Sequence, residues 1–366
     1  MDEQQLQHLR GDVDAIDDAL MDLIERRQEL ARAIGKAKGA SPVFDPGREQ
    51  AVIARLRERH PAIDGRALEA IQREVISLCR SLQEKPRVAF MGPEGSFSQE
   101  AARRVLGQSV DDLFVANPWE AFAALERGEA TLAVVPIENT VEGVVYATLD
   151  AFAKAPVSLS VAGEVQLPIV HVLATAGTPL EAVTEVRSHP QALAQCRLWL
   201  DRHLPAVPRV ASATTSGAAA EAKDLRGVAA VCSEAAAQAQ GLTVLHRAIQ
   251  DQPHNRTRFW IIGRRDGPVE GAKTSLLFNV AHQPGALLQA LEPLRAGRLN
   301  ITFIQSRPLP ENPFEYVFFL DVEGDAAREP LAGALKAMEG LCFRLRILGS
   351  YPVIVSDGTL RDRYKT

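Results

Sequence analysis

Apolar residues recur in steps of three and four through the first part of the chain, a spacing typical of a helix with one buried face. Continued to about residue 38, this helix would be roughly 50 Å long at 1.5 Å per residue. Two shorter helices, over about 48–59 and 65–83, cannot cover so long a face, so the pattern predicts pairing with a second copy of the chain. The apolar positions are Leu6, Leu9, Val13, Ile16, Leu20, Leu23, Ile24, Leu30, Ala31 and Ile34.

Three cations, Arg10, Arg27 and Lys38, fall on or beside the same face. A buried charge costs several kcal/mol unless it is paired. The face offers too few acids to pair all three, so we expect a small polyanionic ligand. Arg10 and Arg27 are roughly 25 Å apart along one helix and can reach the same ligand only if Arg10 comes from a second chain. The alternative is that these side chains lie at the edge of a coiled-coil interface with their charges in water.

A different period begins after residue 85. Short β-branched runs alternate with Ala-rich helical segments, which predicts an α/β domain of two lobes. Residues 263–272 have the Gly, Pro and charge content of a linker, and the order beyond it is strand, helix, strand, strand, helix, strand, the ferredoxin-like plan. The expected domains are therefore 1–84, 86–264 and 272–357. The expected central strands are Val88–Phe90, Leu132–Val135, Ile169–Leu173, Val228–Cys232 and Phe259–Ile262, with helices from Ser98 and near Leu193.

Composition limits the class of protein. With 366 residues, 46% apolar and 24% charged, the chain is expected to be globular and soluble. A net charge of −5 gives no general attraction to nucleic acid or anionic membranes, and no apolar run approaches the roughly 20 residues that span a bilayer. Because the start of the chain lacks a signal-peptide core, a cytoplasmic location is expected. Scattered cysteines without a C-x-x-C pair indicate neither zinc nor a disulfide framework; they are Cys79, Cys196, Cys232 and Cys342.

The helical segment carries a set of polar motifs besides its cations. They are Arg10 and Asp17, Arg27 and Leu30, Gly35 to Lys38, and Asp45, Arg48 and Glu49. With these residues the segment 5–83 resembles the all-helical chorismate mutases, a family that rearranges chorismate to prephenate. Such a pericyclic reaction needs a compact substrate conformer and electrostatic help for developing charge, but no nucleophile or base.

The resemblance implies a role for each of these positions. Arg27 and Arg48, with Arg10 of a partner chain, would hold the two carboxylates of chorismate, since arginine forks onto carboxylates. Lys38 and Gln83 would donate to the ether oxygen that gains negative charge. The remaining implied contacts are Glu49 to the ring hydroxyl, Asp45 beside it, and Cys79 where the family has a small hydroxyl residue.

Three motifs in the central segment adjoin predicted strands. Residues 92–98, GPEGSFS, could bind an anion through backbone N–H groups or form a plain strand-to-helix turn. Residues 134–140, VVPIENT, end a buried strand, where open α/β sheets build their sites; a helix N-cap is the alternative for Asn139 or Thr140. Residues 255–259, NRTRF, form either a carboxylate clamp beside a hydroxyl or a solvated loop.

Together with Ser188-His189-Pro190-Gln191 and Gln195-Cys196, these motifs resemble prephenate dehydratase over about 86–264. The resemblance implies a two-lobed domain like that of periplasmic binding proteins, with the site in the cleft. Thr257 would assist departure of the ring hydroxyl as carbon dioxide leaves. His189, in a His-Pro turn, is more often structural. The other implied site residues are Glu138, Asn139, Ser188 and Gln195, with Arg258 as the partner of a substrate carboxylate.

The C-terminal segment contains two further motifs, Gly285-Ala286-Leu287-Leu288 and Gln305-Ser306-Arg307-Pro308. With them it resembles the ACT regulatory domains of dehydratases. The resemblance implies phenylalanine binding at a dimer interface and inhibition of the enzyme; the alternative is a ferredoxin-like domain used only for dimerisation. The second motif of the family has Glu where this chain has Gln305, which removes a charge near the expected ligand.

These resemblances predict a bifunctional chorismate mutase–prephenate dehydratase that is inhibited by phenylalanine and forms at least a dimer. They imply no cofactor and no metal, and neither a Walker loop nor a Rossmann fingerprint is present in the sequence. Two alternatives remain at this stage. One is a metabolite sensor that binds without turnover. The other is an enzyme with one activity only, in which the first helices serve as a dimerisation coil.

Overall fold

The computed structural model describes residues 3–38, 44–264, 271–308 and 316–355. Within these residues the chain forms twelve α-helices, sixteen strands and one 3₁₀ turn. They divide into two compact units. The first comprises residues up to Pro86 together with Leu106–Asp111, and the second comprises Arg87–Val105 and the described residues from Asp112 onward.

The first unit is built from three helices. They are α1 (Glu3–Lys38), α2 (Pro46–Arg59) and α3 (Gly65–Ser81). Asp45 caps α2 by accepting a hydrogen bond from the Arg48 N–H, and Asp64 caps α3 in the same way. Because α2 begins at Pro46, favoured in a first turn, this helix starts two residues earlier than expected.

The apolar face of α1 is open to solvent in the single chain. Val13, Ile16 and Leu23 are 55%, 66% and 64% exposed, and Leu6, Leu9, Leu20, Leu30 and Ile34 are also exposed. The long helix predicted from the sequence is therefore present, and α2 and α3 leave most of its apolar residues uncovered. A contiguous apolar stripe of this kind marks an interaction surface.

The first lobe of the second unit contains a seven-stranded sheet of order β16-β5-β11-β3-β1-β2, with β4 added beside β3. Helices α4 (Phe97–Leu106), α5 (Pro118–Arg127) and α6 (Tyr146–Lys154) belong to this lobe. The strands are β1 (Arg87–Met91), β2 (Asp111–Val115), β3 (Leu132–Asn139), β4 (Gly143–Val144), β5 (Leu159–Pro168), β11 (Arg256–Arg264) and β16 (Val353–Val355).

The second lobe has a five-stranded sheet of order β10-β6-β9-β7-β8. Small side chains of α9, such as Ala218, Ala219 and Ala222, let that helix approach the buried strand β9 closely. The strands are β6 (Val172–Thr175), β7 (Glu185–Ser188), β8 (Arg209–Ala211), β9 (Val228–Cys232) and β10 (Thr243–His246); the helices are α7 (Pro190–Gln195), α8 (Arg197–His203), α9 (Thr215–Lys223) and α10 (Glu234–Ala239), with the 3₁₀ turn at Leu180–Ala182.

The remaining elements follow the expected βαββαβ order, with a sheet of order β13-β14-β12-β15. Helices α11 and α12 cover one face of this sheet, and Leu276, Phe278 and Met338 are buried between the layers. The elements are β12 (Lys273–Asn279), α11 (Ala286–Ala296), β13 (Ile301–Pro308), β14 (Tyr316–Glu323), α12 (Leu331–Glu339) and β15 (Arg344–Tyr351).

The opposite face of this last sheet packs on the first lobe. One hydrophobic cluster includes Phe152 and Trp260 of the lobe with Phe319 and Tyr351 of the C-terminal sheet. Gly349 approaches β5 so closely that a Cβ atom would lie 2.2 Å from the Val161 carbonyl oxygen, so only glycine fits. After β15 the chain continues into β16, which pairs in parallel with β5.

Several boundaries differ from those expected. Strands β3 and β11 are longer than predicted, because polar residues at one end of each strand continue the backbone pairing. The strand expected at 169–173 begins only at Val172. The expected linker overlaps the end of β11, which runs to Arg264, and its residues 265–270 lie outside the described part of the chain.

Candidate functional site

The register between β3 and β11 separates the polar motif residues into two sets. Thr257 lies opposite Asn139, and Arg258 lies opposite Glu138. Successive side chains of a strand point to opposite faces. Thr257 and Asn139 therefore share one face of the sheet, and Arg258 and Glu138 share the other.

Thr257 and Asn139 line a cavity of about 590 Å³ to which both lobes contribute. The first lobe adds Glu142 and the start of α4, and the second lobe adds the start of α9. No lysine or arginine is among the described residues that line this cavity. Its principal polar residues are Ser96, Ser98, Asn139, Glu142, His171, His189, Gln191, Gln195, Thr214, Thr215, Ser216 and Thr257.

The amide of Asn139 is held in one orientation. Its Oδ1 atom accepts hydrogen bonds from the N–H groups of Val141 and Glu142, at 2.8 and 3.0 Å. Its Nδ2 atom therefore points the other way and donates to Thr257 Oγ1 at 2.9 Å and to Asn255 Oδ1 at 2.8 Å. Because the Thr257 oxygen accepts this bond, its own hydrogen is left to donate into the cavity.

Gln195 connects the two lobes at the cavity. Its Nε2 atom donates to Glu142 Oε1 at 3.1 Å. Its Oε1 atom accepts from Asn255 Nδ2 and lies 3.0 Å from His171 Nε2. Burial lowers the pKa of His171 although the contact with Gln195 opposes this shift. The imidazole is therefore neutral at pH 7 with its hydrogen on Nε2, and Nδ1 has no hydrogen-bond partner in the described part of the chain.

Arg258 and Glu138 do not line the cavity, contrary to the prediction. Arg258, 14% exposed, donates to Glu138 at 2.7 Å and to Glu164 at 2.8 Å, and it also pairs with Asp321 of the C-terminal sheet. Its guanidinium group is thus held among three carboxylates on the opposite face of the sheet. The prediction failed because it did not consider the alternation of side chains along β11.

Lys273 completes this charged cluster by donating to Glu164 at 3.0 Å. Burial raises the pKa of Glu164, but attraction to Arg258 and Lys273 outweighs burial and lowers that pKa to about 2. Burial raises the pKa of Asp321, with Arg258 and Lys273 opposing the shift. The cluster therefore depends on its cations to keep Glu164 ionised.

Ser188 is also placed away from the cavity. It is fully buried, and its hydroxyl donates to the Val231 carbonyl oxygen at 2.5 Å. That bond ties β7 to β9, so a role as a cavity-lining residue is not supported. His189 does line the cavity but caps α7, with Nδ1 accepting from the Gln191 N–H, in line with the structural interpretation.

Sequence reasoning missed His171, Glu142 and the start of α9 as parts of the site. His171 is the one polar residue in the apolar run 169–173, which was a usable signal. Asn255 was inside a recognised motif but received no role. Thr214, Thr215 and Ser216 carry no local signal, since a run of small hydroxyl residues before a helix is common at N-termini.

The first unit holds the residues implied by the chorismate mutase resemblance, though not around one point. Arg10 and Arg27 lie on the same helix, α1, and Arg27 donates to the Val75 carbonyl oxygen at 3.4 Å. Glu49 pairs with the buried Arg80. Burial raises the pKa of Glu49, and Arg80 opposes that shift.

The other residues of this set lie near the same helices. Asp45 is the N-cap of α2, and Arg48 is exposed on its first turn. Gln83 packs against Gly35 of α1, where a Cβ atom would lie 2.9 Å from Gln83 Cγ. Cys79 is buried, and the side chain of Lys38 lies outside the described part of the structure.

The C-terminal sheet has a smaller cavity of about 160 Å³ next to α11. Ala286 and Leu287 line it, whereas Leu288 is 71% exposed and lies outside it. Gly285 begins the helix in a left-handed conformation, φ 81°, which favours glycine. Residues 305–308 belong to β13 and do not line this cavity; the other lining residues are Val280, Ala281, His282, Gln283, Tyr316 and Phe318.

Comparison with known families identifies the two units. The model of type II chorismate mutase matches residues 9–84, and the model of prephenate dehydratase matches residues 88–267. The bifunctional chorismate mutase/prephenate dehydratase of Aquifex aeolicus is 39% identical over 357 residues, which is 95% of this chain and 98% of that protein. The Escherichia coli K12 protein of the same description is 35% identical over 377 residues, covering 96% and 97%.

The chain belongs to the bifunctional chorismate mutase/prephenate dehydratases. Both resemblances stated from the sequence motifs are thereby confirmed, and the protein is an enzyme with an isomerase and a lyase domain. As a member of this family it converts chorismate to prephenate and then to phenylpyruvate.

Two solved structures are similar to this chain over 73% of its length. Prephenate dehydratase of Arthrobacter aurescens, in complex with L-phenylalanine, matches with a TM-score of 0.67 at 35% identity, covering 73% of this chain and 89% of that chain. A quorum quenching acylase, GqqA, matches with a TM-score of 0.66 at 32% identity, covering 73% of this chain and 98% of that chain.

Among the described residues of this bifunctional enzyme, no group of side chains has the composition of a metal site. No helix of these residues has the length and apolar character to cross a membrane.

Replacing Arg258 tests the carboxylate cluster. We expect Arg258→Gln to lower the free energy of unfolding at pH 7 by about 3–5 kcal/mol, because it leaves buried carboxylates without their main partner. Unpaired carboxylates take up protons at higher pH, so the variant should regain stability as pH falls from about 8 to about 5. In the wild type, the contribution of Glu164 is complete above its ordinary pKa of 4.5 and is lost only toward about 2.

Denaturant unfolding at several pH values measures this difference. Arg264→Gln is the matched control, since Arg264 is exposed at the end of the same strand and, within the described ranges, donates to the carbonyl oxygens of Leu125 and Glu126. Its effect should stay below about 1 kcal/mol at every pH. A stability loss in Arg258→Gln that does not change with pH would contradict the assignment of charge in this cluster.

Proposed function

We propose that Thr257 is the hydroxyl donor of the dehydratase reaction and that Asn139 orients it. The observation that carries this proposal is the hydrogen bond from Asn139 Nδ2 to Thr257 Oγ1, which leaves the threonine hydrogen to donate toward a ligand. The proposed limits of the catalytic domain are residues 86–264. Glu138, Ser188 and Arg258 are not included among the groups that contact substrate.

The chemistry requires little more than positioning and one donor. The bond from the ring to its carboxylate breaks, carbon dioxide leaves, and the electron pair enters the ring as the bond to the ring hydroxyl breaks. The hydroxyl takes one proton, which solvent supplies, and departs as water, and the ring becomes aromatic. Thr257 donates a hydrogen bond to this departing oxygen, and Gln195 holds the two lobes in contact around the substrate.

Thr257→Val tests this role, because valine has nearly the same shape without the hydroxyl. Given chorismate, the wild type should form phenylpyruvate after a prephenate lag, whereas the variant should accumulate prephenate with a dehydratase kcat lowered about 100-fold. Thr257→Ser should stay within about tenfold of the wild type. Mutase activity of the same chains serves as the internal control for folding.

The alternatives correspond to other outcomes of that assay. Full dehydratase activity in Thr257→Val would remove threonine from the mechanism. Prephenate accumulation by the wild type would mean that one activity only is retained. A wild type that turns over neither chorismate nor added prephenate would be a metabolite sensor.

For the first unit we propose a homodimeric chorismate mutase spanning residues 1–84, in which the apolar face of α1 meets its copy. Arg27 and Arg48 of one chain and Arg10 of the other would bind the substrate carboxylates, and Lys38 and Gln83 would donate to the ether oxygen. The exposed apolar face of α1 supports the pairing. The length of helix between Arg10 and Arg27 supports the sharing of residues between chains. The remaining assignments are Glu49 to the ring hydroxyl, Asp45 beside it, and Cys79 as a substrate contact at the position where the family has a small hydroxyl residue.

Subunit mixing tests the shared site. Arg10→Ala and Arg27→Ala should each lose most mutase activity, because each site then lacks one carboxylate partner. In a mixed dimer one of the two sites has both arginines, so random exchange should restore about a quarter of the wild-type rate by the symmetry of the dimer. Dehydratase activity reports whether each variant is folded.

The mixing experiment needs conditions under which subunits exchange, verified with tagged chains. Arg10→Ala mixed with itself is the control and should stay inactive. Mixed dimers that form but remain inactive would exclude a site shared between chains.

We propose that residues 272–357 form an ACT domain whose cavity beside α11 binds phenylalanine and inhibits the dehydratase. Of the allosteric residues expected from the sequence, Ala286 and Leu287 would contact the ligand in this cavity. The others would act from outside the cavity wall of the single chain; they are Gly285, Leu288, Gln305, Ser306, Arg307 and Pro308. The Arthrobacter aurescens relative solved with L-phenylalanine supports this ligand.

We propose a cytoplasmic location for the enzyme. Its four cysteines form no disulfide with one another, which fits a reducing compartment.

Leu287→Ala tests the inhibitor site, because it removes apolar contact from the cavity wall. We expect the phenylalanine concentration for half inhibition to rise about tenfold, as expected for the loss of about 1.4 kcal/mol of binding. Leu341→Ala is the control, since Leu341 is exposed and does not line the cavity. Equal inhibition of both variants and the wild type would contradict the proposed position of the site.

A further inference from the structure

The dehydratase cavity presents a problem of charge. Its substrate, prephenate, carries two carboxylates, but the described residues that line the cavity include no lysine and no arginine. Arg258 points to the other face of the sheet and is already paired with three carboxylates. Some other donor must therefore bind the substrate anion.

We infer that the N-terminus of α9 is the carboxylate subsite of the dehydratase. Thr214 caps this nine-residue helix by accepting from the Gly217 N–H at 2.8 Å, and the Ala218 N–H donates to the Thr214 carbonyl oxygen. The N–H groups of Thr215 and Ser216 are left over at the helix end. All three hydroxyl residues line the cavity, and the positive end of a helix favours an anion.

Ser216 supplies a second, independent sign of a ligand. The residue is 2% exposed, yet its Oγ atom has no hydrogen-bond partner among the described residues. Buried hydroxyls normally have partners, and two other buried serines of this lobe do: Ser212 bonds to Glu221, and Ser233 donates to the Gly95 carbonyl oxygen. A carboxylate at the start of α9 would accept from Ser216 Oγ as well as from the backbone.

The other polar groups of the cavity favour binding of the anion at the N-terminus of α9. Glu142 is an acceptor held by Gln195, and His171 Nδ1 is an acceptor with no partner among the described residues. Both groups disfavour a carboxylate nearby. The start of α9, by contrast, brings together the backbone N–H groups of Thr215 and Ser216 and the Ser216 hydroxyl, with no acid among the cavity-lining residues of that helix.

Chemistry indicates which carboxylate binds there. The ring carboxylate leaves as neutral carbon dioxide, so strong donors around it would stabilise the ground state and slow the reaction. The side-chain carboxylate keeps its charge throughout and is still present in phenylpyruvate. The subsite at α9 therefore holds the side-chain carboxylate, an assignment that rests on the proposed dehydratase function.

Ser216→Ala tests the subsite in the full-length enzyme. The KM for prephenate should rise about tenfold, because a hydrogen bond to a charged group is lost, while kcat stays within about threefold of the wild type. The constant for product inhibition by phenylpyruvate should rise by the same factor as KM. Ser160→Ala is the matched control, because its Oγ atom is likewise buried and has no partner among the residues that the structure describes, but Ser160 does not line the cavity.

Ser216→Asp adds a second measurement. It places a carboxylate at the helix end, where the helix dipole stabilises it, so prephenate should no longer saturate the enzyme although mutase activity and the thermal midpoint are retained. An unchanged KM in Ser216→Ala would overturn the subsite. A raised KM with unchanged phenylpyruvate inhibition would overturn the choice of carboxylate. A wild type inactive on prephenate would instead overturn the proposed function, and the wild-type assay separates these outcomes.

Discussion

The second unit depends on the charge balance around Arg258. Its guanidinium group bonds to Glu138 of β3, Glu164 of β5 and Asp321 of β14, so one side chain joins three strands to its own strand, β11. Buried charges are tolerated only when they are paired and hydrogen-bonded. Because Thr257 is the neighbouring residue on β11, this cluster also fixes the backbone that carries the proposed donor. Through Asp321, the C-terminal sheet thereby helps to hold the strand that carries the proposed donor of the dehydratase site.

The spacing of apolar residues was enough to predict those helices and strands whose buried face is marked within their own sequence. The exposed apolar stripe of α1, the fully buried strand β9 and the βαββαβ order of the last segment all follow from period and from turn residues. Strands β3 and β11 were predicted too short, because the polar residues Glu138, Asn139 and Thr257 end the apolar runs although the backbone pairing continues through them. Strand β16 has only three residues, and its pairing with β5 is a contact between distant parts of the chain.

Site residues could be predicted from the sequence where the motifs that contain them come together in the fold. Asn139, Thr257 and Gln195 do meet at one cavity, as their motifs suggested. Arg258 and Ser188 were misjudged because residue type was considered without the direction of the side chain or its partner across the sheet. Ser216 could not have been found from the sequence, since its significance lies in a missing hydrogen bond, which only the packed structure reveals.

The pairing of β16 with β5 has a consequence for synthesis on the ribosome. Strand β16 follows every other described strand in the sequence, so β5 emerges from the ribosome long before its outer neighbour exists. Until then the edge of the catalytic sheet offers unpaired N–H and C=O groups to other nascent chains. The three helices of the first unit, by contrast, emerge first and share no strand with that sheet. The nascent chain therefore carries an unprotected strand edge from the synthesis of β5 until that of β16, roughly half of its translation.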